Sequence, residues 1–510
     1  MQPERIALHA AVQADRAKRL SKARESFEDL VAWVEGPAQQ LTLFRAEQEV
    51  VRRIFSLGLA VMGLWLAFHA PVVVPRSVRC GQGWYAFKDL AGDWVRTRLG
   101  VVWAVRPVYE RVSGRGPALI APEDQAIGLC SGRMTLGVHL LAAWLAARMP
   151  FDDVVATQRQ FGGYAPSKRS VEGIVDELGP DAARWLEVMP PPEGDGDVLV
   201  IEVDAKGSPM IGSAEHRKRC RPHRKGPQAR ADRRQRRRKQ ARPRRTKGKR
   251  SKNARMANVA VIYTLRRLPD GRLDGPLNKR IIAFFGTKRE LFVRAKREAL
   301  LRGYGTKESY FLADGDLDLW DLCAEFFPDA TPCVDWYHVC EYLWSAGTAR
   351  HPEGSPRLVR WVHARKGELL DENVDAVLAA IDDLRAAVGP RSETTNGAHL
   401  RLDAATRFIE NHRHLLRYGA LRDADMDIAT GAVEGAINYV IGARLDGSMM
   451  RWCPRRAGFV LALRCVQYNG HWDAFTVAAE EARSRRRSPT VGRITPQHRQ
   501  TPYDAVRKAA

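Results

Sequence analysis

The sequence predicts an α/β domain that carries a helical insertion and follows a mainly α-helical N-terminal region. Three observations predict it. Val198–Asp204 reads VLVIEVD, a run rich in β-branched residues with the character of a buried central strand, and it ends in an acid. A second short strand, Ser309–Ala313, is followed by Asp314 and then by Gly315, which lets the chain turn. Thr430–Leu445, TGAVEGAINYVIGARL, has helical length and period and carries Glu434.

Taken in order, residues 1–75 read as helix. Asp15–Val34 has mixed charges, and Gln39–Phe68 continues in helical period. Ile54–Val74 is long enough to raise the membrane question, but His69 and Pro71 interrupt it and Gly58 and Gly63 dilute it. A buried or dimerising helix is the reading adopted, with no membrane partner. Residues 76–190 form a second region. Residues 76–115 carry aromatic and β-branched pieces such as Gly100–Val112 and suggest a small hairpin, and helices return over 121–180. Within them, residues 151–178 have a helix-turn-helix layout: helix Phe151–Phe161, a turn at Gly162–Ala165, then helix Ser167–Leu178 with Ser167 as N-cap. Lys168 and Arg169 sit at the end of the second helix that would enter a major groove. A helical hairpin without DNA remains the alternative. Met189–Asp197, MPPPEGDGD, reads as a linker.

The second half has a traceable element order. Strand Val198–Asp204 is followed by Ala257–Arg267, a turn at Pro269–Gly271 and Lys279–Lys288, together an antiparallel meander. Helix Lys288–Gly305, strand Ser309–Ala313, helix Leu317–Phe327 and strand Ala330–Val339 come next, and the helix of Glu434 closes the set. Three strands, helix, strand, helix, strand, helix is the element order of the ribonuclease H fold. It would occupy residues 195–347 and 429–480, with 348–428 a helical insertion and 481–510 a basic tail.

Charge narrows the function classes. The chain has a net charge of +23 and a pI near 10, which points to a polyanionic partner. Residues 216–255 hold 21 Lys/Arg against the single Asp232, so nearly all of that excess lies there. This stretch is almost without apolar residues and is expected to be a disordered arm binding nucleic acid through counterion release, independent of sequence. Arg233, Arg234, Arg236, Arg237, Arg238 and Lys239 form its densest part. Eight scattered cysteines without a C-x-x-C pair suggest a reducing cytoplasm. The polar, charged N-terminus has no signal-peptide character. Cys220/His223 and Cys333/His338/Cys340 lack the pattern of a structural zinc site.

Two strand-end aspartates and a helical glutamate suit a sheet that gathers carboxylates around divalent ions, since Mg²⁺ and Mn²⁺ require hard oxygen ligands. Two such ions can stabilise the attacking and leaving oxygens of a phosphoryl displacement. The ordinary alternative is that each acid caps a turn or faces solvent. Asp316, Asp318 and Asp321 crowd Asp314, which is preferred because it directly follows the strand.

IEVDAKGSPM (Ile201–Met210), FLADGD (Phe311–Asp316), VDWYHVCEYLW (Val334–Trp344), TGAVEGAINYVIGARLDGSMMRW (Thr430–Trp452) and the tail Arg455–Phe475 together resemble a known family. It is the bacterial insertion-sequence DDE transposases related to the Mutator-like group, of the Kra type. The likeness covers residues 195–475 well and 90–190 loosely. It implies a ribonuclease H-like catalytic domain in which Asp204, Asp314 and Glu434 bind two Mg²⁺ or Mn²⁺ ions. Asp335 and His338 resemble that group's C/D-x-x-H element, with His338 orienting DNA or moving protons; a structural Asp–His hydrogen bond is the alternative. Arg444 and Arg451 flank the helix of Glu434 and suit phosphate contacts, while Trp452 is expected to pack. The implied activity is cleavage at terminal inverted repeats followed by joining of the 3′-hydroxyl to target DNA. It implies a homo-oligomer on double-stranded DNA in the bacterial cytoplasm, associated with the nucleoid. The rival readings are a structure-specific nuclease of the same fold and a non-catalytic DNA-binding protein descended from a transposase. The long basic arm and Asp446, where a basic residue is expected, depart from the family pattern.

Overall fold

The computed structural model describes residues 5–212, 217, 254–446 and 451–485. The Arg/Lys cluster at 233–239 and most of the basic tail lie outside the described residues. The chain divides into two compact units: Met1–Asp181 with Trp472–Ala510, and Ala182–His471.

In the first unit, β1 (Arg5–Ala7) pairs with β2 (Val73–Pro75) across a hairpin of two long helices, α1 (His9–Glu35) and α2 (Leu43–His69). The two-stranded pairing was not expected from a region read as wholly helical. The Arg16 guanidinium donates to the carbonyls of Ala67, Phe68 and Ala70 at 3.2, 3.0 and 3.2 Å, closing the C-terminal end of α2 where backbone acceptors lack helical partners. One face of α2 packs inward. Leu59 and Leu66 lie on the core of Val95, Val102 and Ala104, and a side chain at Gly63 would press on Arg19 and Val102. Among the described residues α2 is the one helix long and apolar enough to cross a membrane, by length and composition only.

The small hairpin expected within residues 76–115 is there, but as part of a larger sheet. Strands β3 (Ser77–Cys80), β4 (Gly83–Thr97), β5 (Gly100–Gly114) and β6 (Leu119–Ile120) form an antiparallel sheet in that order, with β4 and β5 fifteen residues each. Gly92 makes this possible, because a side chain there would meet the Trp103 indole at 2.2 Å. Short helix α3 (Pro122–Ala126) leads to α4 (Leu136–Arg148), α5 (Phe151–Phe161) and α6 (Lys168–Val188).

The second unit begins within α6 and is built on a five-stranded mixed sheet. Its strands are β7 (Val198–Pro209), β8 (Ala254–Arg267), β9 (Leu273–Phe284), β10 (Glu308–Ala313) and β11 (Thr331–Val334), in the order β11-β10-β7-β8-β9. β7, β8 and β9 run antiparallel, while β7, β10 and β11 are parallel. Val198–Val203 is buried throughout, which explains its unbroken apolar character. Helix α7 (Lys288–Leu301) crosses between β9 and β10, started by a capping box of Thr287 and Glu290. Helix α8 (Leu317–Phe326) crosses between β10 and β11.

After β11 come α9 (Trp336–Gly347), α10 (Pro356–Leu370), α11 (Val374–Val388), α12 (Asn396–His412) and α13 (Tyr418–Asp423). The helix of Glu434 starts as α14 (Gly431–Ala436) and then widens into a π-helix over Ile437–Asp446, a form common at functional sites. Helix α15 (Pro454–Tyr468) packs on β9, and Asn469 continues that edge by accepting from Ile281 N–H at 2.8 Å and donating to its carbonyl at 3.0 Å. Helix α16 (Trp472–Arg485) belongs to the first unit.

Candidate metal centre and its supports

Sheet register lines up the acids. Ala313 is the partner of Val203 on one side and of Val334 on the other. The next residues, Asp204, Asp314 and Asp335, therefore stand side by side at the C-terminal ends of β10 and β11, about 4.8 Å apart per strand; β7 does not end at Asp204 as expected but runs on to Pro209, held by its pairing with β8. This is the edge where open α/β sheets place ligands. Glu434 arrives from α14, and its carboxylate interacts electrostatically with Asp204.

Burial pushes the Asp204 carboxyl up to about 6; the charges of Asp314 and Glu434 add to it, while the Ala205 N–H at 2.5 Å and His338 oppose it. A carboxylate disfavoured by like charges around it is what a cation would relieve. Asp314 and Glu434 are half-buried and both act electrostatically on Asp204, so β7, β10 and α14 supply hard oxygen donors of the kind a divalent ion takes, although among the described residues the three carboxylates do not close to ligand distance of one another.

The competing acids near Asp314 have other work. Asp316 caps α8 by accepting from Asp318 N–H at 3.1 Å, and its other oxygen holds Lys288 Nζ at 2.5 Å. Lys288 also pairs with Asp318 at 3.0 Å, and Asp321 is exposed. Asp314 keeps its turn by accepting from Asp316 N–H at 2.9 Å. Gly315 is required there: a side chain would meet the Phe408 ring of α12 at 2.1 Å.

Asp335 is fully buried and every one of its oxygens is engaged. One accepts from Thr430 N–H at 2.7 Å and the Thr430 hydroxyl at 2.9 Å. The other accepts from His338 N–H at 2.9 Å and His338 Nδ1 at 2.8 Å. Burial works against its charge, yet the bonds from His338 and Thr430 hold the carboxyl below its usual range. Asp335 therefore stands beside the acids as a positioning residue that fixes both His338 and the segment leading into Glu434. The Asp335 hydrogen bond raises His338 to about 9 against the cost of burial, and the charges of Asp335, Asp314 and Asp204 support the rise. His338 is thus a cation at neutral pH.

The residue that sequence reading missed is Glu202. It lies 1% exposed on β7, two residues before Asp204 and on the same face. It accepts from Val433 N–H at 2.7 Å and the Tyr263 hydroxyl at 2.8 Å, and burial lifts its carboxyl to about 7. Glu202 and Asp335 thus grip the Glu434 segment at positions 433 and 430. The signal was present: an acid inside an otherwise apolar strand must be buried, and a buried acid needs partners.

Other site candidates fall differently. Arg444 is 1% exposed and its guanidinium lies 4.7 Å from the centre of the Trp452 ring, so it is not on the surface where phosphate contact was expected. The wide π turn rotates it inward. Arg451 is exposed, and Trp452 packs, its indole donating to Leu445 carbonyl at 3.0 Å. Lys168 and Arg169 are both exposed at the start of α6; Lys168 pairs with Asp152, and Ser167 caps the helix by accepting from Ser170 N–H at 3.2 Å. The α5–α6 turn is anchored by Gly163, whose N–H donates to Arg98 carbonyl at 3.0 Å and whose missing side chain would strike Leu99 at 2.1 Å.

The first unit holds a separate cluster of Cys130, His139 and Glu177. Arg483 already supplies it with a cation, donating to Cys130 Sγ at 3.1 Å and to Glu177 at 2.7 Å. Burial pushes the Cys130 thiol up to about 11 and His139 down to about 4, so both are neutral at pH 7. No protein-family model matches the chain and no curated protein is similar to it, so the site itself carries the functional reading.

Proposed function

We propose that this chain is a DDE-type DNA transposase, cutting at the terminal inverted repeats of an insertion sequence and joining the freed 3′-hydroxyl to target DNA. The observation that carries this reading is that sheet register sets Asp204 beside Asp314 while both Asp314 and Glu434 act electrostatically on Asp204. The strand order β11-β10-β7-β8-β9, in which β7 belongs both to the parallel side with β10 and β11 and to the antiparallel side with β8 and β9, supports a ribonuclease H-like domain. The free cysteines among the described residues and the net charge of +23 fit a DNA partner in a reducing bacterial cytoplasm, at the nucleoid. Assembly as a homo-oligomer on paired DNA ends is part of the same reading.

Asp204, Asp314 and Glu434 would hold two Mg²⁺ or Mn²⁺ ions. Bound there, such ions activate water and stabilise the attacking and leaving oxygens of a phosphodiester. Asp335 uses the His338 Nδ1–H and leaves Nε2 as the nitrogen available to DNA. Charged at neutral pH, His338 places a proton donor and a positive charge beside the acids, suited to a departing 3′-oxygen or a phosphate. Lys168 and Arg169, the exposed Arg451 and the basic residues 233–239 are the proposed DNA contacts.

The test is cleavage and joining of labelled terminal-repeat DNA with Mg²⁺ or Mn²⁺ by the intact protein and by Asp314→Asn. Metal-dependent nicking at the repeat boundary, strand transfer, and loss of both in the variant are expected. Cleavage without any joining would establish the nuclease reading instead. Repeat binding without cleavage would establish the binding-only one.

The grip of Glu202 on Val433 gives a further expected result. Glu202→Ala should lower metal-dependent cleavage by roughly 10–100-fold, the usual effect of losing a support behind a ligand. Glu202→Gln, whose amide oxygen can still accept from Val433, should lose markedly less. Equal losses in the two variants would show that the hydrogen bond to Val433 does not matter.

A further inference from the structure

Helix α2 has two apolar faces, and the described residues cover only one of them. Leu59, Leu66, Gly63 and Ala67 face the sheet and α1. The opposite face is a stripe with a seven-residue repeat. Phe44, Val51 and Trp65 fall on one heptad position, and Ile54, Val61 and Phe68 on the position three later. All six are exposed, Phe44 by 70%, Phe68 by 56% and Ile54 by 52%. Glu47 is the one charged residue in the two series, and Gly58 the one without a side chain.

A repeat of 3.5 residues is the signature of a helix that meets another helix along a seam. Lipid selects no such period, and the first half of α2 carries Arg45, Glu47, Glu49, Arg52 and Arg53. The extent also suits a protein partner. An aromatic side chain can bury about 150–250 Å², so three aromatics and three aliphatics roughly half exposed amount to about 500–700 Å² of apolar surface. A stable dimer needs about 800 Å² from each partner. Leu43, which is 86% exposed, and a second exposed stripe on α1 at Phe27, Val31 and Val34 bring the total to that level.

We propose that the α1–α2 hairpin is a dimerisation surface, occupied by the same hairpin of a second copy to form a four-helix bundle. The association forms in the absence of DNA, and it stands independently of the catalytic reading.

The test is the mass of the full chain in solution, by light scattering on a sizing column, after nuclease treatment and in about 0.5 M salt to strip nucleic acid. At about 10 μM, the unmodified protein is expected at twice the chain mass of 57.2 kDa and the Ile54→Arg/Val61→Arg pair at the single-chain mass with unchanged helical circular dichroism. Both positions are exposed, so the substitutions leave the inward face intact. Should the pair lose its helical signal, Val51→Arg alone must raise the dissociation constant at least tenfold. A single-chain mass for the unmodified protein, or a twofold mass retained by folded variants, overturns the proposal. So does capture of the unmodified protein by phosphatidylcholine vesicles that the variants abolish while leaving its mass unchanged.

Discussion

Asp204→Asn should abolish metal-dependent cleavage while making the metal-free protein more stable. Cleavage is expected to fall by a thousandfold or more, because a first ligand to the proposed ion pair is lost. Stability moves the other way because the Asp204 carboxyl sits at about 6, raised chiefly by burial. A group raised in the folded state contributes stability when protonated, and that contribution is lost as pH rises from about 4 through about 6. At pH 7 the native aspartate therefore carries the full cost, and Asn carries none. Discounted for partial exposure, the gain is about 1–2 kcal/mol, or about 2–6 °C in Tm for a unit of this size. Thermal unfolding in a chelator at pH 7 and pH 4.5 checks it: the variant should melt higher at pH 7, and the difference should shrink to roughly a third at pH 4.5. A variant less stable than the parent at pH 7 would refute the crowded-carboxylate account. Added Mg²⁺ should raise the Tm of the parent more than that of the variant.

Asp335→Ala should be damaging in both respects. It leaves the buried Thr430 N–H and hydroxyl without an acceptor and frees His338, which together suggests a loss of about 3–5 kcal/mol. His338 should fall from about 9 toward its ordinary value, since the Asp335 hydrogen bond is the main cause of the rise. The sign is opposite to that of a depressed acid. The contribution of His338 is fully present below about 6.5 and is lost as pH rises through about 9, so the stability gap between parent and variant should narrow between pH 7 and 9.5. Asp335→Asn, which keeps an oxygen for Thr430 but turns an amide toward His338, should fall between the two. Denaturant unfolding and NMR titration of the imidazole measure these quantities. An unchanged His338 titration in Asp335→Ala would remove Asp335 from its positioning role.

How much of this was legible depended on whether a signal was local. Asp314 could be read because it follows the end of a short hydrophobic strand; Asp204 was found by the same sign, but β7 continues past it to Pro209 and only the parallel pairing with β10 stops at its neighbour Val203. Asp335 was legible as a neighbour of the site, but its task was not: the bond to Thr430 spans 95 positions and leaves no local pattern. Glu202 was passed over because reading an apolar run as a buried strand treats its one acid as a blemish. Arg444 was misplaced for a different reason. An α-helical period puts it on one face of the Glu434 helix, and the π turn that follows Ala436 changes that face. The length of β4 and β5 was hidden by charged residues such as Asp93 and Arg106, which are buried together and 3.7 Å apart in the structure. In α2 only the helical period was read from the sequence; the heptad stripe became visible once the exposure of each face was known.

The hydrogen bond between Asp335 and Thr430 also defines a closed circuit. The helices α10–α13 leave the sheet just after β11 and return to the same carboxylate, where Trp336 N–H also donates to the carbonyl of Ile428 at 3.0 Å. Bringing the ends of a 95-residue excursion together costs about 4 kcal/mol of chain entropy, and that cost grows only slowly with length. Residues 336–430 are still tied to the sheet at His338, at Phe408 over Gly315 and at Tyr418, whose hydroxyl donates to the Val334 carbonyl at 3.0 Å. Evolution or a protein engineer can enlarge, shorten or exchange the stretches between these ties, and Glu434 keeps its address as long as the two ends still meet at Asp335.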